Sequence, residues 1–289
     1  MKASKTALRY GALAAIVPLT ALLCGPSPVL ATPFLGSAES FAILGASTVT
    51  NTGPTTINGD VGVYPGLSIT GEGSITLTGA YHAGDAAAQA AQASATAAFN
   101  NLAALTPATD LSGKVLGTGG TVSVLTPGVY SFSSSAQLTG MLTLDFGSHP
   151  NTPFVFQIGS TLTTASASDI DVLNGGSGSA IYWEVGSSAT LGTTTEFAGN
   201  IIADQSITLN TGAGVVCGRA IALNAAVTMD SNSVSNDCTK SGDLGSGRSD
   251  FGSTGFSGVD STSVPEPASA LLLIVGLVGL AASRRVRAQ

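Results

Sequence analysis

Charge is scarce in this sequence, and basic charge is the scarcest. Only 9% of the 289 residues are charged, and only ten are Lys or Arg, six of which lie in the first nine or last six positions. Between residues 32 and 239 there are 13 Asp or Glu residues, against Lys114 and Arg219 alone. A nucleic-acid-binding surface must neutralise phosphates with Lys and Arg. This composition therefore excludes a nucleic-acid partner.

Groups that carry out catalysis are also few. The two histidines, His82 and His149, stand alone in turn contexts, and there is no Gly-x-Ser-x-Gly elbow, phosphate-binding loop or Cys-x-x-Cys pair. Asp169 and Asp171 are the one close pair of carboxylates on a single strand face, whereas a glycosidase needs two carboxylates facing one cleft. We therefore predict no enzymatic activity, no metal and no other cofactor. A weak calcium site at Asp169 and Asp171 is the alternative to two solvated acids.

The N-terminal end of the chain, 1–31, has the pattern of a secretory signal peptide. Three basic residues among the first nine precede an apolar run from Gly11 to Cys24, and Val29-Leu30-Ala31 provides a small-residue cleavage site. We predict cleavage after Ala31, and hence a secreted protein.

The C-terminal end of the chain contains a second targeting segment. Residues 240–263 contain 13 Gly or Ser in 24 positions, which is typical of a flexible linker. Val264-Pro265-Glu266-Pro267 follows, then an uncharged stretch at 268–282 and an Arg-rich end. Residues 264–289 thus resemble the PEP-CTERM sorting signal of Gram-negative bacteria. The resemblance implies contact with the membrane through this segment alone, processing by an exosortase-type enzyme, and delivery to the cell surface or extracellular matrix.

Three short segments between these ends repeat one pattern. They are Ser188-Ala189-Thr190-Leu191, Ser206-Ile207-Thr208-Leu209 and Ala226-Val227-Thr228-Met229, and their threonines follow one another at intervals of 18 and then 20. In a β-strand, alternate side chains face opposite ways, so each segment has one apolar face and one face of hydroxyl and methyl groups. Such a short repeating unit is too small to fold as a separate domain, and its length is typical of the stacked coils of a β-solenoid.

Two further repeats support a solenoid. Residues 156–163 match residues 183–190 at a constant offset of 27, and residues 197–202 match residues 216–221 at an offset of 19. Two strand types that recur in the same order require at least two sides of a prism, which a flat meander does not. We therefore predict a mainly β protein with the fold of a β-helix.

The N-terminal part of the domain contains short strands and then a helix. Ser74-Ile75-Thr76-Leu77 repeats the pattern of the later segments, so Ser74 and Thr76 are predicted to extend the same face. Residues 83–105 are rich in Ala, the residue with the best helix propensity. Asp85 suits the positive end of the helix dipole, and Thr106-Pro107 stops the helix. This order does not determine at which end of the stack the early coils lie.

Cys217 and Cys238 are the cysteines that follow the predicted signal peptide. Secretion permits a disulfide, and a bridge between them would close a short loop at the end of the repeats. We predict this bridge, with two unpaired thiols as the alternative. Arg219, the one basic residue within the repeats, is predicted to pair with Glu196 or Asp204 on a neighbouring coil.

The predicted threonine face has a specific geometry. Coils stack about 4.8 Å apart, and alternate residues of a strand lie about 6.7 Å apart. Threonine also has a stiff χ1 torsion. The result is a flat, rigid and uncharged grid of hydroxyl and methyl groups that can hold ordered water, as recognition of an ice plane demands.

Several motifs are similar to those of the bacterial and fungal ice-binding proteins of the DUF3494 type. They include Gly59-Asp60-Val61-Gly62-Val63-Tyr64-Pro65-Gly66, Leu125-Thr126-Pro127-Gly128-Val129-Tyr130 and Gly199-Asn200-Ile201-Ile202-Ala203, and the similarity covers residues 35–236. The resemblance implies a discontinuous right-handed β-helix (β-solenoid) with one long Ala-rich α-helix packed along its side. It also implies an ice-binding site on a flat face of strands. The family's Thr-Ala/Gly-x-Thr/Asn site motif maps onto Ala225-Ala226-Val227-Thr228, with Ala225 departing from it, and more loosely onto Gln205-Ser206-Ile207-Thr208.

We therefore predict a secreted, monomeric ice-binding domain at residues 32–239 that restrains ice growth or recrystallisation. The alternative is a matrix adhesin or a β-solenoid that binds exopolysaccharide, which the sorting signal favours and the low aromatic content disfavours. The predicted ice-binding residues are Thr161, Thr163, Ser188, Thr190, Ser206, Thr208, Ala226, Thr228, Ser74 and Thr76.

Overall fold

The computed structural model describes residues 34–149, 152–175 and 179–237. The predicted signal peptide, linker and sorting segment lie outside these residues, as does Cys238. Within the described part of the chain, no helix is long and apolar enough to cross a membrane.

The described chain contains 23 strands, one α-helix and two short 3-10 helices. The α-helix, α1, is Ala86–Ala103, and the 3-10 helices are Gly36–Ala38 and Glu72–Ser74. The strands are β1 (Phe41–Gly45), β2 (Thr48–Thr52), β3 (Thr55–Asn58), β4 (Asp60–Val63), β5 (Ser68–Thr70), β6 (Ile75–Leu77), β7 (Tyr81–Ala83), β8 (Thr109–Asp110), β9 (Val115–Leu116), β10 (Val124–Leu125), β11 (Gly128–Phe132), β12 (Ala136–Leu138), β13 (Met141–Asp145), β14 (Phe154–Ile158), β15 (Leu162–Thr164), β16 (Asp169–Leu173), β17 (Ile181–Val185), β18 (Ala189–Leu191), β19 (Glu196–Ala203), β20 (Ile207–Leu209), β21 (Gly214–Ala222), β22 (Val227–Asp230) and β23 (Ser233–Ser235).

The strands form three faces of parallel strands, which confirms the predicted β-helix. The threonine face is the eight-stranded sheet β9-β12-β15-β18-β20-β22-β2-β5. The other two faces are connected, because the long strands β19 and β21 continue around the corner between them. The helix-covered face contains β8, β11, β14, β17, β1, β4 and β7, and the third face contains β10, β13, β16, β23, β3 and β6.

The coils do not stack in the order of the sequence. On the threonine face β2 pairs with β22, and on the helix-covered face β1 pairs with β21, so the N-terminal coils lie against the C-terminal coil. The coil that contains β8, β9 and β10 lies at the opposite end of the stack. The helix therefore connects one end of the stack to the other, and the predicted discontinuity of the β-helix is confirmed.

The interior of the solenoid is filled by aliphatic residues and by most of the aromatic rings that the structure describes. Phe156 and Trp183, which the repeat at an offset of 27 aligns, are paired in register. Their rings stack with centroids 3.8 Å apart and an interplanar angle of 6°. The indole N–H of Trp183 donates to the carbonyl oxygen of Ala198 at 3.1 Å, so its polar atom is satisfied inside the core. Most of the described aromatic residues thus fill the core.

The α-helix packs along one side of the solenoid, as predicted. It begins at Ala86, and Asp85 is its N-cap, because a carboxylate oxygen of Asp85 accepts from the Ala88 N–H at 2.9 Å. This hydrogen bond, together with that from His82, lowers the pKa of Asp85. The helix buries a row of small side chains, Ala88, Ala91, Ala95 and Ala98, together with Gln92 and Leu102. Small side chains let the helix backbone lie close to the sheet.

Arg219 joins the N-terminal coils to the C-terminal coil. Its side chain is 1% exposed, and its guanidinium donates to the Glu39 carbonyl oxygen and to Asn200 Oδ1, at 3.0 Å and 2.9 Å respectively. These hydrogen bonds differ from the predicted pairing with Glu196 or Asp204. Asp204 accepts instead from the side-chain amide of Asn224.

One residue interrupts the repeat between β19 and β21. Asn200 pairs with Arg219 and Ile201 with Ala220, as the offset of 19 predicts, but Ala198 pairs with Val216, one position earlier. Cys217 is the extra residue, and it has a φ angle of 53°. This β-bulge lies where β21 turns the corner between two faces, in keeping with the tendency of bulges to bend a strand.

Candidate functional site

Six threonines form a continuous column on the threonine face. Each is paired with the next in parallel register, so the column crosses six neighbouring strands. In spatial order the column is Thr163, Thr190, Thr208, Thr228, Thr50 and Thr70. Neighbouring hydroxyls in such a column are about 4.8 Å apart, which is the spacing of the strands.

A second column lies two positions earlier on the same strands. Its members are small and mostly carry hydroxyls, and the register of the strands aligns them as it aligns the threonines. In spatial order they are Ser135, Thr161, Ser188, Ser206, Ala226, Thr48 and Ser68.

The strands hold these columns outward because their intervening residues are buried. Ala189 and Leu191 flank Thr190, Ile207 and Leu209 flank Thr208, and each of these four apolar residues is at most 1% exposed. Slipping a strand by one residue would move its apolar side chains into water and its threonine into the core. The hydrophobic core therefore fixes which face the threonines occupy.

The two columns differ in their hydrogen bonds. In the second column, Thr161 donates to Ser135 Oγ at 2.8 Å, and the hydroxyls of Ser188 and Ser206 are 3.0 Å apart. Among the described residues, the six hydroxyls of the threonine column make no hydrogen bond to another protein group. Their donor and acceptor positions are therefore available to water.

Eight of the ten predicted site residues lie in these columns, and two do not. Ser74 ends a 3-10 helix, and Thr76 lies on β6, which pairs with β3 in the third face. The prediction that Ser74 and Thr76 extend the threonine face is therefore wrong. The physical reason is that Thr70 already fills the position next to Thr50, and the chain turns a corner before it reaches Thr76.

Sequence reasoning missed five residues of the columns: Ser135, Thr48, Thr50, Ser68 and Thr70. Ser68-Ile69-Thr70 repeats Ser206-Ile207-Thr208, and Thr70 follows Thr50 at the same interval at which Thr228 follows Thr208. Thr76 lies well beyond that interval. The spacing between coils could thus have distinguished the two Ser-Ile-Thr segments.

The carboxylates lie outside the two columns. Asp169 and Asp171 belong to β16 of the third face, where Asp169 is opposite Glu196. Partial burial raises the pKa of Asp169, and the neighbouring carboxylates of Glu196 and Asp171 raise it further. Within the described ranges there is no group of three or more His, Cys, Asp or Glu residues that could hold a metal ion.

Glu184 is a buried carboxyl on the helix-covered face. It is 7% exposed. Loss of solvation raises its pKa from 4.5 to about 7, and the carboxylate of Asp204 contributes to the rise. Because the folded state holds this proton more tightly than the unfolded state, Glu184 lowers stability as the pH rises from about 4.5 to about 7.

Replacing Glu184 with Gln should therefore stabilise the protein at high pH. A tenfold change in a protonation equilibrium is worth about 1.4 kcal/mol, so the expected gain in the free energy of unfolding is roughly 3 kcal/mol above about pH 7. The gain should vanish below about pH 4.5, where the carboxyl is protonated in both states. Urea unfolding of both proteins across this range measures the difference. A gain that does not change with pH would contradict the assigned cause.

Comparison with known proteins agrees with this architecture. A family described as "Ice-binding-like" matches residues 43–235, and a PEP-CTERM protein-sorting motif matches residues 263–287. The chain is 55% identical over 204 residues to an ice-binding protein of Nostoc sp. (strain HG1), covering 71% of this chain and 74% of that protein. It is 32% identical over 224 residues to an ice-binding protein of Flammulina populicola, covering 70% of this chain and 86% of that one.

A solved structure extends this similarity to three dimensions. The crystal structure of an ice-binding protein from an Antarctic biological consortium has a TM-score of 0.65 and 42% sequence identity to this chain, and the match covers 72% of this chain and 93% of that one. The family match covers more than half of this chain and includes every strand from β2 to β22. The chain therefore belongs to the ice-binding-like protein family.

Proposed function

We propose that this protein adsorbs to ice through the threonine face and inhibits ice growth or recrystallisation. The observation that carries the proposal is the column of six threonines in register whose hydroxyls have no protein partner. The proposal also rests on the names of the relatives, which are ice-binding proteins.

The physical argument concerns ordered water. The two columns repeat at about 4.8 Å across the strands and about 6.7 Å along each strand. Each threonine offers one hydroxyl that both donates and accepts, beside one methyl group. None of the residues in the columns is charged, so no ion hydration shell interrupts the layer of water above them. A rigid array of this kind can hold water in an arrangement that joins the lattice of an ice surface.

The direct test is to grow ice crystals in a solution of the protein without its signal peptide. Faceted crystals and a freezing point below the melting point support adsorption. Round crystals that grow as they do in buffer contradict it.

A matrix adhesin or an exopolysaccharide-binding protein is the alternative. Polysaccharides are commonly bound by exposed aromatic rings, but the large rings described above lie inside the solenoid. Among the described residues, Tyr81 is the one aromatic residue in the class of exposed large hydrophobic side chains. This distribution favours ice over a sugar polymer as the ligand of the threonine face.

We further propose a domain plan and a location. Residues 1–31 are removed as a signal peptide, residues 32–239 form a monomeric, non-enzymatic ice-binding domain, residues 240–263 link it to the end, and residues 264–289 direct sorting. The sorting motif supports processing by an exosortase-type enzyme and a place outside the cell or at the surface of a Gram-negative bacterium. Every strand of the threonine face that the structure describes belongs to the domain at residues 32–239.

Deleting residues 264–289 should leave ice shaping per mole unchanged and alter where the protein accumulates. The reason is that the Gly/Ser-rich segment 240–263 separates the sorting segment from the last coil. Ice activity and cell fractionation of variants ending at Thr239 and at Ser263 measure both effects. A large loss of activity in the shorter variant alone would mean that residues 240–263 complete the solenoid.

We also propose that Cys217 pairs with Cys238. Cys217 is fully buried, secretion permits disulfides, and Cys238 is the nearest cysteine in the sequence. Such a bridge would secure the bulged strand β21 to the chain that follows the last coil.

Reducing this bridge should lower the free energy of unfolding by roughly 3 kcal/mol in the chain-entropy account of a loop of this length. Ice shaping in the cold should persist, because Cys217 belongs to β21, which is not a strand of the threonine face. Thermal unfolding with and without reductant measures the change, and the double variant Cys217→Ala, Cys238→Ala is the control. Detection of two free thiols by mass spectrometry would contradict the pairing.

A further inference from the structure

A second candidate site lies on the helix-covered face, away from the threonine columns. It is a cleft of about 290 Å³ just beyond the C-terminal end of α1. Asp110, Ser131, Gln157 and Glu184 line it, and parallel pairing places them side by side on four neighbouring strands. Gly159 and Gly186 lie one position beyond the end of their strands and leave the floor of the cleft without side chains.

Glu184 is the unusual member of this lining. More than nine-tenths of the residue is buried, and it lines the cleft. Among the described residues its carboxyl makes no hydrogen bond, although buried polar groups usually have a partner. A carboxyl that is largely shielded from solvent, has no protein hydrogen bond among the described residues and borders a cavity is placed to bind a ligand.

The side chain of Gln157 places a second hydrogen-bond acceptor beside Glu184. The amide nitrogen of Gln157 donates to the carbonyl oxygens of Leu102 and Leu105, at 2.7 Å and 2.8 Å. These two acceptors fix the orientation of the amide, because only its nitrogen can donate to them. The oxygen Oε1 then lies on the other side of the amide and is available as an acceptor.

The electrostatic surroundings favour a cation. The negative end of the α1 dipole points toward the cleft. Asp110 lines the far end, about 14 Å from Glu184 by three strand spacings, and the carboxylate of Asp204 lies close enough to act on Glu184. The described lining contains no Lys, Arg or His. A bound cation would offset this concentration of negative charge.

We propose that the cleft beside Glu184 binds a primary ammonium group. Such a group has three N–H donors and no acceptor, which suits a carboxylate, an amide oxygen and nearby serine hydroxyls. A calcium ion needs six to eight oxygen ligands, and the described residues offer no carboxylate cluster that could hold a metal. An uncharged sugar ring lacks a stacking partner, because the one ring in the lining, Phe132, is 2% exposed. This proposal does not depend on ice binding.

The ammonium group could belong to a free amine or to an amine-bearing polymer, and the experiment separates the two. Calorimetry of the full secreted chain at about pH 8, where Glu184 is ionised, uses 1,4-diaminobutane as one probe and a lysine oligomer, whose amines are also protonated at this pH, as the other. The N-acetylated oligomer is the uncharged match of the second probe. Binding of either amine without binding of the N-acetylated oligomer supports the site, and the tighter of the two identifies the source.

Variants then locate the binding. Glu184→Gln should weaken amine binding about tenfold or more, because it removes the charge that pairs with the ammonium. Asp171→Asn, which removes a carboxylate on the third face, should leave the affinity unchanged. Near pH 7, binding to the unmodified protein should release protons, which calorimetry in buffers of different ionisation enthalpy detects, and Glu184→Gln should abolish the release.

Three results would overturn the proposal. The first is equal amine affinity in Glu184→Gln and the unmodified protein. The second is no amine binding in either protein. The third is calcium binding at this cleft in preference to both amines. Thermal melting of Glu184→Gln checks that the variant is folded, so a loss of binding cannot be mistaken for unfolding.

Discussion

Thr208→Tyr should reduce the freezing hysteresis of this protein to about a tenth or less. Thr208 lies in the middle of the threonine column, between Thr190 and Thr228. A tyrosine ring there would stand above a flat surface and hold the neighbouring threonines away from ice. A loss of about 1.4 kcal/mol of adsorption free energy is enough to lower the affinity tenfold. The buried residues on either side are unchanged, so the melting temperature of the protein should shift little.

Two matched variants show whether the assigned face is correct. Thr50→Tyr should have an effect like that of Thr208→Tyr, because the N-terminal coils continue the same column. Thr76→Tyr should have none, because Thr76 is exposed but belongs to the third face. Hysteresis and crystal shape at equal protein concentration measure all three. Normal activity in Thr208→Tyr, or a strong loss in Thr76→Tyr, would show that ice contacts another face.

The sequence predicted the part of this site that short repeats specify. The intervals between the repeats in the sequence correspond to strand pairings in the structure: Thr163 with Thr190, Thr190 with Thr208, and Thr208 with Thr228. Such prediction works because parallel stacking turns a fixed interval in the chain into a fixed neighbour in space. The alternation of apolar and hydroxyl residues then decides which side of each strand faces water.

The position of the N-terminal coils could not be predicted in this way. Their pairing with the C-terminal coil joins residues that are far apart in the chain, such as Thr50 and Thr228. No interval in the repeats records such a contact. Both Ser68-Ile69-Thr70 and Ser74-Ile75-Thr76 have the sequence pattern of a strand. Only the number of residues in a coil distinguishes the segment that lies on the threonine face from the one that does not.

The hydrogen bonds between the N-terminal coils and the C-terminal coil could not be predicted from the sequence either. Opposite charge suggested that Arg219 pairs with Glu196 or Asp204, but the structure shows hydrogen bonds to the backbone carbonyl of Glu39 and to the amide of Asn200. A backbone carbonyl has no signature in the sequence. Asn236 donates to the same carbonyl oxygen of Glu39 at 3.2 Å, so several polar groups converge where the chain is discontinuous.

Because these polar groups meet at Arg219, we expect Arg219→Met to lower the free energy of unfolding, and this is the second large effect. Methionine would fill much of the space but remove the guanidinium donors to Asn200 Oδ1 and to the Glu39 carbonyl oxygen, which would keep the donor from Asn236. A buried acceptor that loses its partner costs about 1 to 3 kcal/mol, so the free energy of unfolding should fall by roughly 3 kcal/mol. Arg219→Lys should recover only part of this, because an ammonium cannot span both acceptors as the planar guanidinium does.

The other basic residue of the domain provides the control. Lys114 is exposed, so Lys114→Met removes the same charge and should change stability by less than about 0.5 kcal/mol. Urea unfolding of the four proteins measures these differences, and hydrogen exchange should show the largest loss of protection in residues 41–83, the coils that Arg219 holds in place. If Arg219→Met were as stable as Lys114→Met, these hydrogen bonds would contribute little. The N-terminal coils would then depend on strand pairing, on apolar contacts and on the remaining hydrogen bonds, such as that from Asn236 to the Glu39 carbonyl oxygen, and the threonine column would remain continuous without the buried arginine.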